Sequence, residues 1–110
     1  MTDDDRYDVI FAPNAVDDLI QIQDYIANTL MVPDVARHYT GEIRSQIAGL
    51  DCFPNRHPLV QDEPHFSNGV HWMPVNNFIV YYEVDEELKL VIILAVVYKR
   101  RDQLDALSEI

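Results

Sequence analysis

Residues 69–102 read GVHWMPVNNFIVYYEVDEELKLVIILAVVYKRRD. Two runs within it, Phe78–Val84 and Leu88–Tyr98, are dense in β-branched and aromatic side chains. The acidic turn Asp85-Glu86-Glu87 separates them, and that combination predicts a β-hairpin. In the second run Leu90, Ile92, Leu94 and Val96 alternate with Val91, Ile93, Ala95 and Val97. Both faces are therefore apolar, the mark of a central strand. Val70–Met73 predicts a shorter strand ahead of them, with Pro74-Val75-Asn76-Asn77 turning the chain into Phe78. The last strand runs directly into Lys99-Arg100-Arg101, three of eight basic residues in a chain with nineteen acidic ones.

Upstream the period changes. Arg6–Phe11 alternates as a short first strand. Pro13 then suits a first helical turn, with Asp17 and Asp18 early where the helix dipole favours anions. Ala15, Leu19, Ile22 and Ile26 recur at helical spacing, so an amphipathic helix is expected to about Leu30. Met31-Val32-Pro33-Asp34 breaks it. Val35, Tyr39, Ile43, Ile47 and Leu50 form the stripe of a second helix, in which Gly41 costs roughly 1 kcal/mol relative to alanine. Cys52–Ser67 holds Pro54, Pro58 and Pro64 without a clear period and reads as a loop, tacked down by Phe53, Leu59 and Phe66. Residues 1–5 should be frayed, and Gln103–Ile110 offers at most a helical turn or two.

The predicted order is β-α-α-β-β-β. Helices and strands segregate, so the class is α+β: a small, mainly antiparallel four-stranded sheet with a helix hairpin packed on one face. Two helices cover one face only. The reading therefore expects Val91, Ile93, Val97, Ile79 and Tyr81 to be partly exposed on the other face, which would take a partner chain or a second copy.

A chain of 110 residues is one domain by length. Hydrophobic residues make up 48% and charged residues 25%, the balance of a globular domain. The longest apolar run, Val91–Tyr98, is of strand length, so no membrane partner is expected. The acidic start Met1–Asp5 is unlike a signal peptide, and the cytoplasm is the expected compartment. The net charge of −11 argues against broad nucleic-acid binding, which needs cations to displace counterions.

The chemistry-bearing residues are sparse. His38, His57, His65 and His71 are scattered, and the single Cys52 makes no ligand pattern, so neither a metal nor a cofactor is expected. The three glycines stand far apart and form no phosphate loop. The acidic clusters read as solvated termini and turns. The cluster Tyr98-Lys99-Arg100-Arg101-Asp102 is the feature with chemical potential, because arginine forks suit phosphate or carboxylate and can stabilise a developing oxyanion. The same charges could equally be a strand end paired with Asp102 or Asp105.

Several pieces, in order along nearly the whole chain, resemble the RelE/ParE superfamily of toxins of bacterial type II toxin–antitoxin systems. They are Tyr7–Ala15 with Asp17-Asp18-Leu19, Tyr25–Leu30, Phe53-Pro54 with Arg56–Leu59, Met73–Glu86, and Val97-Tyr98 with Arg101-Asp102. The resemblance implies the β-α-α-β-β-β fold, a growth-inhibiting activity, and neutralisation by a cognate antitoxin in a heteromeric complex. It also implies two possible targets. The ribonuclease branch cleaves mRNA at the ribosome, with an arginine inside the third strand, where this chain has Ile79. A second arginine follows the fourth strand, where Arg100 or Arg101 matches. Many relatives carry arginine at the position of His71. On this template Arg100, Arg101, Tyr98 and His71 are the candidate catalytic residues, an incomplete set. The other branch binds DNA gyrase and cleaves nothing. Ile79 and the acidic balance favour that target-binding mode or an attenuated toxin. The alternatives are a ribosome-dependent endoribonuclease and a non-toxic binding module.

Overall fold

The computed structural model describes residues 6–29, 31 and 33–99. Residues 1–5, Arg100, Arg101, Asp102 and the segment 103–110 lie outside them. The elements are β1 (Asp8–Phe11), α1 (Pro13–Asp24), a π-helical turn (Tyr25–Thr29), α2 (Pro33–Ala48), β2 (His71–Val75), β3 (Phe78–Asp85) and β4 (Leu90–Tyr98). Short 3₁₀ turns at Gly49–Asp51 and Pro54–Arg56 follow α2. The order β-α-α-β-β-β and the α+β class are those expected.

The sheet runs β1-β4-β3-β2, with β1 parallel to β4 and the other two pairs antiparallel. The doubly apolar β4 is indeed interior. Boundaries shift by local chemistry. Pro33 opens α2, two residues before the expected start, because its missing N–H costs nothing in a first turn. Pro74 and Val75 belong to β2, leaving Asn76-Asn77 as the turn. A proline is tolerated there because β2 is an edge strand. Leu88 sits in the β3–β4 turn and is 67% exposed.

One side of the sheet packs under the helices. Ala15 and Leu19 of α1 and Ile43 and Ile47 of α2 meet Val80, Tyr82, Val91 and Ile93 in one buried cluster, with Leu50 joining from the 3₁₀ turn. The strict alternation expected along β4 fails in its middle. Tyr81 pairs with Ala95 but Tyr82 pairs with Ile93, so Leu94 is an extra residue, a β-bulge. Before it the odd-numbered Val91 and Ile93 face the helices; after it Val96 does, while Ala95 and Val97 face away. The helix layer reads this bulge directly, since β1 stops at Phe11 and α1 takes over its role. Asn14 Nδ2 donates to the Leu94 carbonyl at 3.4 Å, and the Asp18 carboxylate accepts from the Val96 N–H at 2.9 Å.

The opposite face corrects the expectation of an uncovered surface. Ile79, Tyr81, Ala95 and Val97 are between 2% and 5% exposed, and Val91 and Ile93 are fully buried on the helix side. Val60 and Val70, flanking the proline-rich stretch, pack into that second cluster beside Trp72. The Val60 N–H donates to the Val70 carbonyl at 2.8 Å and the Trp72 N–H to the Pro58 carbonyl at 3.0 Å, so this stretch also covers the outer edge of β2. The apolar exposure on which a homodimer was expected is therefore missing.

Candidate functional site

Of the four candidate residues, Arg100 and Arg101 lie outside the described residues, so the structure speaks to Tyr98 and His71. Tyr98 ends β4 opposite Phe78, 39% exposed, the two rings tilted at 53° with centroids 5.6 Å apart. The following Lys99 is held to the β2–β3 turn: its N–H donates to the Asn77 carbonyl at 2.7 Å, and its Nζ reaches the Asn76 carbonyl at 3.4 Å. The basic run thus departs from a fixed, exposed strand end, as the sequence suggests.

His71 lies elsewhere. It pairs with Tyr82, whereas Tyr98 pairs with Phe78. Four residues of β3 separate the two sites, roughly 13 Å at the usual rise. His71 is 7% exposed and its ring stacks on Tyr82, with centroids 5.0 Å apart and planes 14° from parallel. Its Nδ1 lies 2.8 Å from the His57 carbonyl oxygen. The histidine thus fastens the loop to the sheet. Tyr82 does the same from beneath, its hydroxyl donating to the Pro54 carbonyl at 2.5 Å. Burial pushes the Tyr82 phenol up to about 12. His57 is held below the ordinary histidine value by burial, with the charge of Arg56 and then His71 adding to it.

These anchors build a corner that the sequence reading missed. The chain leaves the 3₁₀ turn after α2 through Cys52, which bridges to Arg6. It then turns through Phe53 at φ 49°, ψ 52°, the left-handed region that a bulky side chain rarely adopts. Arg56 clamps the turn, donating from Nη1 to the carbonyls of Cys52 at 2.7 Å and Phe53 at 3.0 Å. The Phe53 ring, expected to pin the loop inward, is 72% exposed. Beside it Tyr7, Phe53, Pro54, Asn55, Arg56 and Lys89 line an open depression of about 420 Å³.

Glu86 organises the far rim. It accepts from the Tyr7 hydroxyl at 2.7 Å and from Asn55 Nδ2 at 2.8 Å, and these bonds hold its carboxyl below the usual range. Lys89, also at positive φ (55°), places its Nζ 4.7 Å from the centre of the Tyr7 ring. Glu86 was read as part of a solvated turn. Its partners lie 79 and 31 residues away in sequence, and no local pattern announces them. Among the described residues no group of three or more His, Cys, Asp or Glu side chains is placed to hold a metal ion. No helix among them is long and apolar enough to cross a membrane.

Comparison with known proteins places this architecture. In the chromosomal ParDE toxin–antitoxin system from P. aeruginosa, a chain superposes with a TM-score of 0.69 at 22% identity, covering 84% of this chain and 96% of that one. The RelBE2 toxin–antitoxin complex from Mycobacterium tuberculosis gives 0.62 at 20% identity, covering 87% and 94%. The archaeal RelE–RelB complex from Pyrococcus horikoshii gives 0.61 at 13%, covering 88% and 99%. No curated protein matches the sequence significantly. The family model described as ParE toxin of type II toxin-antitoxin system, parDE, matches residues 9–103. The chain belongs to the ParE toxin family of type II toxin–antitoxin systems.

Proposed function

We propose that this chain inhibits growth by binding a protein target, as a gyrase-directed toxin would, and that a cognate antitoxin neutralises it. The observation that carries the target-binding reading is the separation of the candidate acid–base groups. General acid–base catalysis needs a proton-moving side chain within hydrogen-bond reach of the reacting atoms. His71 is buried in a stack with Tyr82 and bound to the loop backbone, at the opposite end of β3 from Tyr98 and the basic run. Ile79, at the position matched to the strand arginine of the ribonuclease branch, is 4% exposed and packed in an apolar cluster. A partner antitoxin is supported by family membership and by the three structural relatives, each a toxin–antitoxin assembly.

The test is induction of the chain alone and together with the neighbouring small gene. The expected result is growth arrest relieved by the neighbour, disturbed plasmid supercoiling and intact transcripts. Cut transcripts that depend on Arg100 and Arg101 would assign the ribonuclease mode instead. Absence of both arrest and complex formation would leave a non-toxic binding module.

A further inference from the structure

We infer that the Phe53 corner is the surface that grips the protein target, and that it meets an acidic segment of that target bearing an apolar side chain. The inference rests on the target-binding reading above. A surface that acts in the free toxin must be assembled in the chain alone, and this corner is.

Two side chains at positive φ, Phe53 and Lys89, stand on the rims of one depression. Such conformations persist where surrounding bonds over-determine them. Here Arg56 holds the carbonyls of Cys52 and Phe53, Tyr82 holds that of Pro54, and Glu86 ties Asn55 to Tyr7. The strained turn leaves the Phe53 ring in water, where it contributes little to folding. A rigid, exposed aromatic beside a concavity is the form of an interface anchor.

The charge selects the partner. The lining carries two cations, Arg56 and Lys89, and no carboxylate. The neighbouring depression, about 300 Å³, is lined by Glu83, Asp85, Glu86 and Glu87 and repels acids. On a chain of net charge −11, an acidic segment is thereby directed to this corner. The guanidinium of Arg56 is engaged with backbone carbonyls, so Lys89 is the cation positioned to meet an incoming carboxylate.

Phe53→Gly is the decisive variant, because glycine accepts the same backbone angles while deleting the ring. Met31→Gly is the control: Met31 is also at positive φ (58°) and is 79% exposed. Inducer titration of growth arrest, antitoxin co-purification and thermal melting are measured for both. Phe53→Gly should lower toxic potency on the order of 30-fold, the loss of one anchor residue. Its melting temperature should not fall and antitoxin binding should persist, while Met31→Gly stays fully toxic. Full potency of Phe53→Gly overturns the inference. Loss of antitoxin capture does so too, since the corner would then be the antitoxin's, and a lower melting temperature would make Phe53 a structural residue. A wild-type chain without toxicity, or one that cuts transcripts, sinks the parent reading and this one together. A wild type that disturbs supercoiling with Phe53→Gly equally potent sinks this one alone.

Discussion

Replacing Tyr82 with phenylalanine isolates the bond on which the loop is hung. The side chain is fully buried and its hydroxyl donates to the Pro54 carbonyl at 2.5 Å, with Pro54 itself buried. Removing the donor forfeits a net hydrogen bond and leaves a buried carbonyl unpaired, together about 1–3 kcal/mol. For a domain of this size each kcal/mol lowers Tm by about 4–8 °C. The effect also has a pH signature. The phenol's pKa is raised from 10.0 to about 12, chiefly by burial. Between those values the unfolded chain releases the proton and the folded chain keeps it. The stabilisation present below pH 10 is therefore lost as pH rises toward 12, at about 1.4 kcal/mol per pH unit. Tyr82→Phe lacks that slope, so its deficit should shrink across this window. The single tryptophan, Trp72 in β2, reports unfolding by fluorescence in urea titrations at pH 7, 10, 11 and 12. A deficit under about 0.5 kcal/mol at pH 7, or a slope above pH 10 equal to wild type, would refute the reasoning. Because the same bond seats the Phe53 turn, toxic potency should fall with it.

Three further outcomes follow from other parts of the fold. Gly41→Ala should stabilise the chain by about 1 kcal/mol in urea unfolding, since an added Cβ meets nothing within 4 Å and α2 gains a better helix former. Asp18→Ala should cost about 1–3 kcal/mol by the same assay, because it strips the Val96 N–H of its acceptor beside the bulge. Glu86→Gln should leave neutral-pH stability nearly unchanged but flatten its acid dependence. The wild-type carboxyl is held below its ordinary value by Tyr7 and Asn55, so it stabilises above the unfolded value of 4.5. That contribution is lost as pH falls through the lowered folded value. Melting curves from pH 3 to 7 would show it, and parallel curves for the two proteins would dismiss the bond.

The fold was legible because its signals are local. Period two in Phe78–Val84 and Leu90–Val97, period 3.6 in α1 and α2, and the acidic turn between β3 and β4 fix element type within a few residues, and the doubly apolar β4 fixes its interior place. Which residues share a face of β4 was decided by one bulge. Leu94 has no special composition, and the extra residue exists because Tyr81 and Tyr82 pair with Ala95 and Ile93 across the sheet. The second face looked open because the stretch that covers it has no period; only folding carries Val60 and Val70 onto Ile79 and Tyr81.

The candidate site divides in the same way. The basic run after Tyr98 is visible as composition, and the structure adds its fixed starting point through Lys99. His71 could be singled out by position, but its role depends on Tyr82 and His57, which reach it through strand pairing and the loop. The Phe53 corner was written nowhere in the local pattern. A phenylalanine in an apolar-looking loop is expected to turn inward, since burial of its ring is favourable. Arg56 and Tyr82 instead hold three carbonyls that commit the backbone to a left-handed turn, and that turn points the ring out. Sequence alone determined the elements, the class and the family resemblance, because these rest on short-range periodicity and ordered motifs. The exposure of Phe53, the bonding of Glu86 and the phase of β4 depend on partners tens of residues away, so only the tertiary structure decided them.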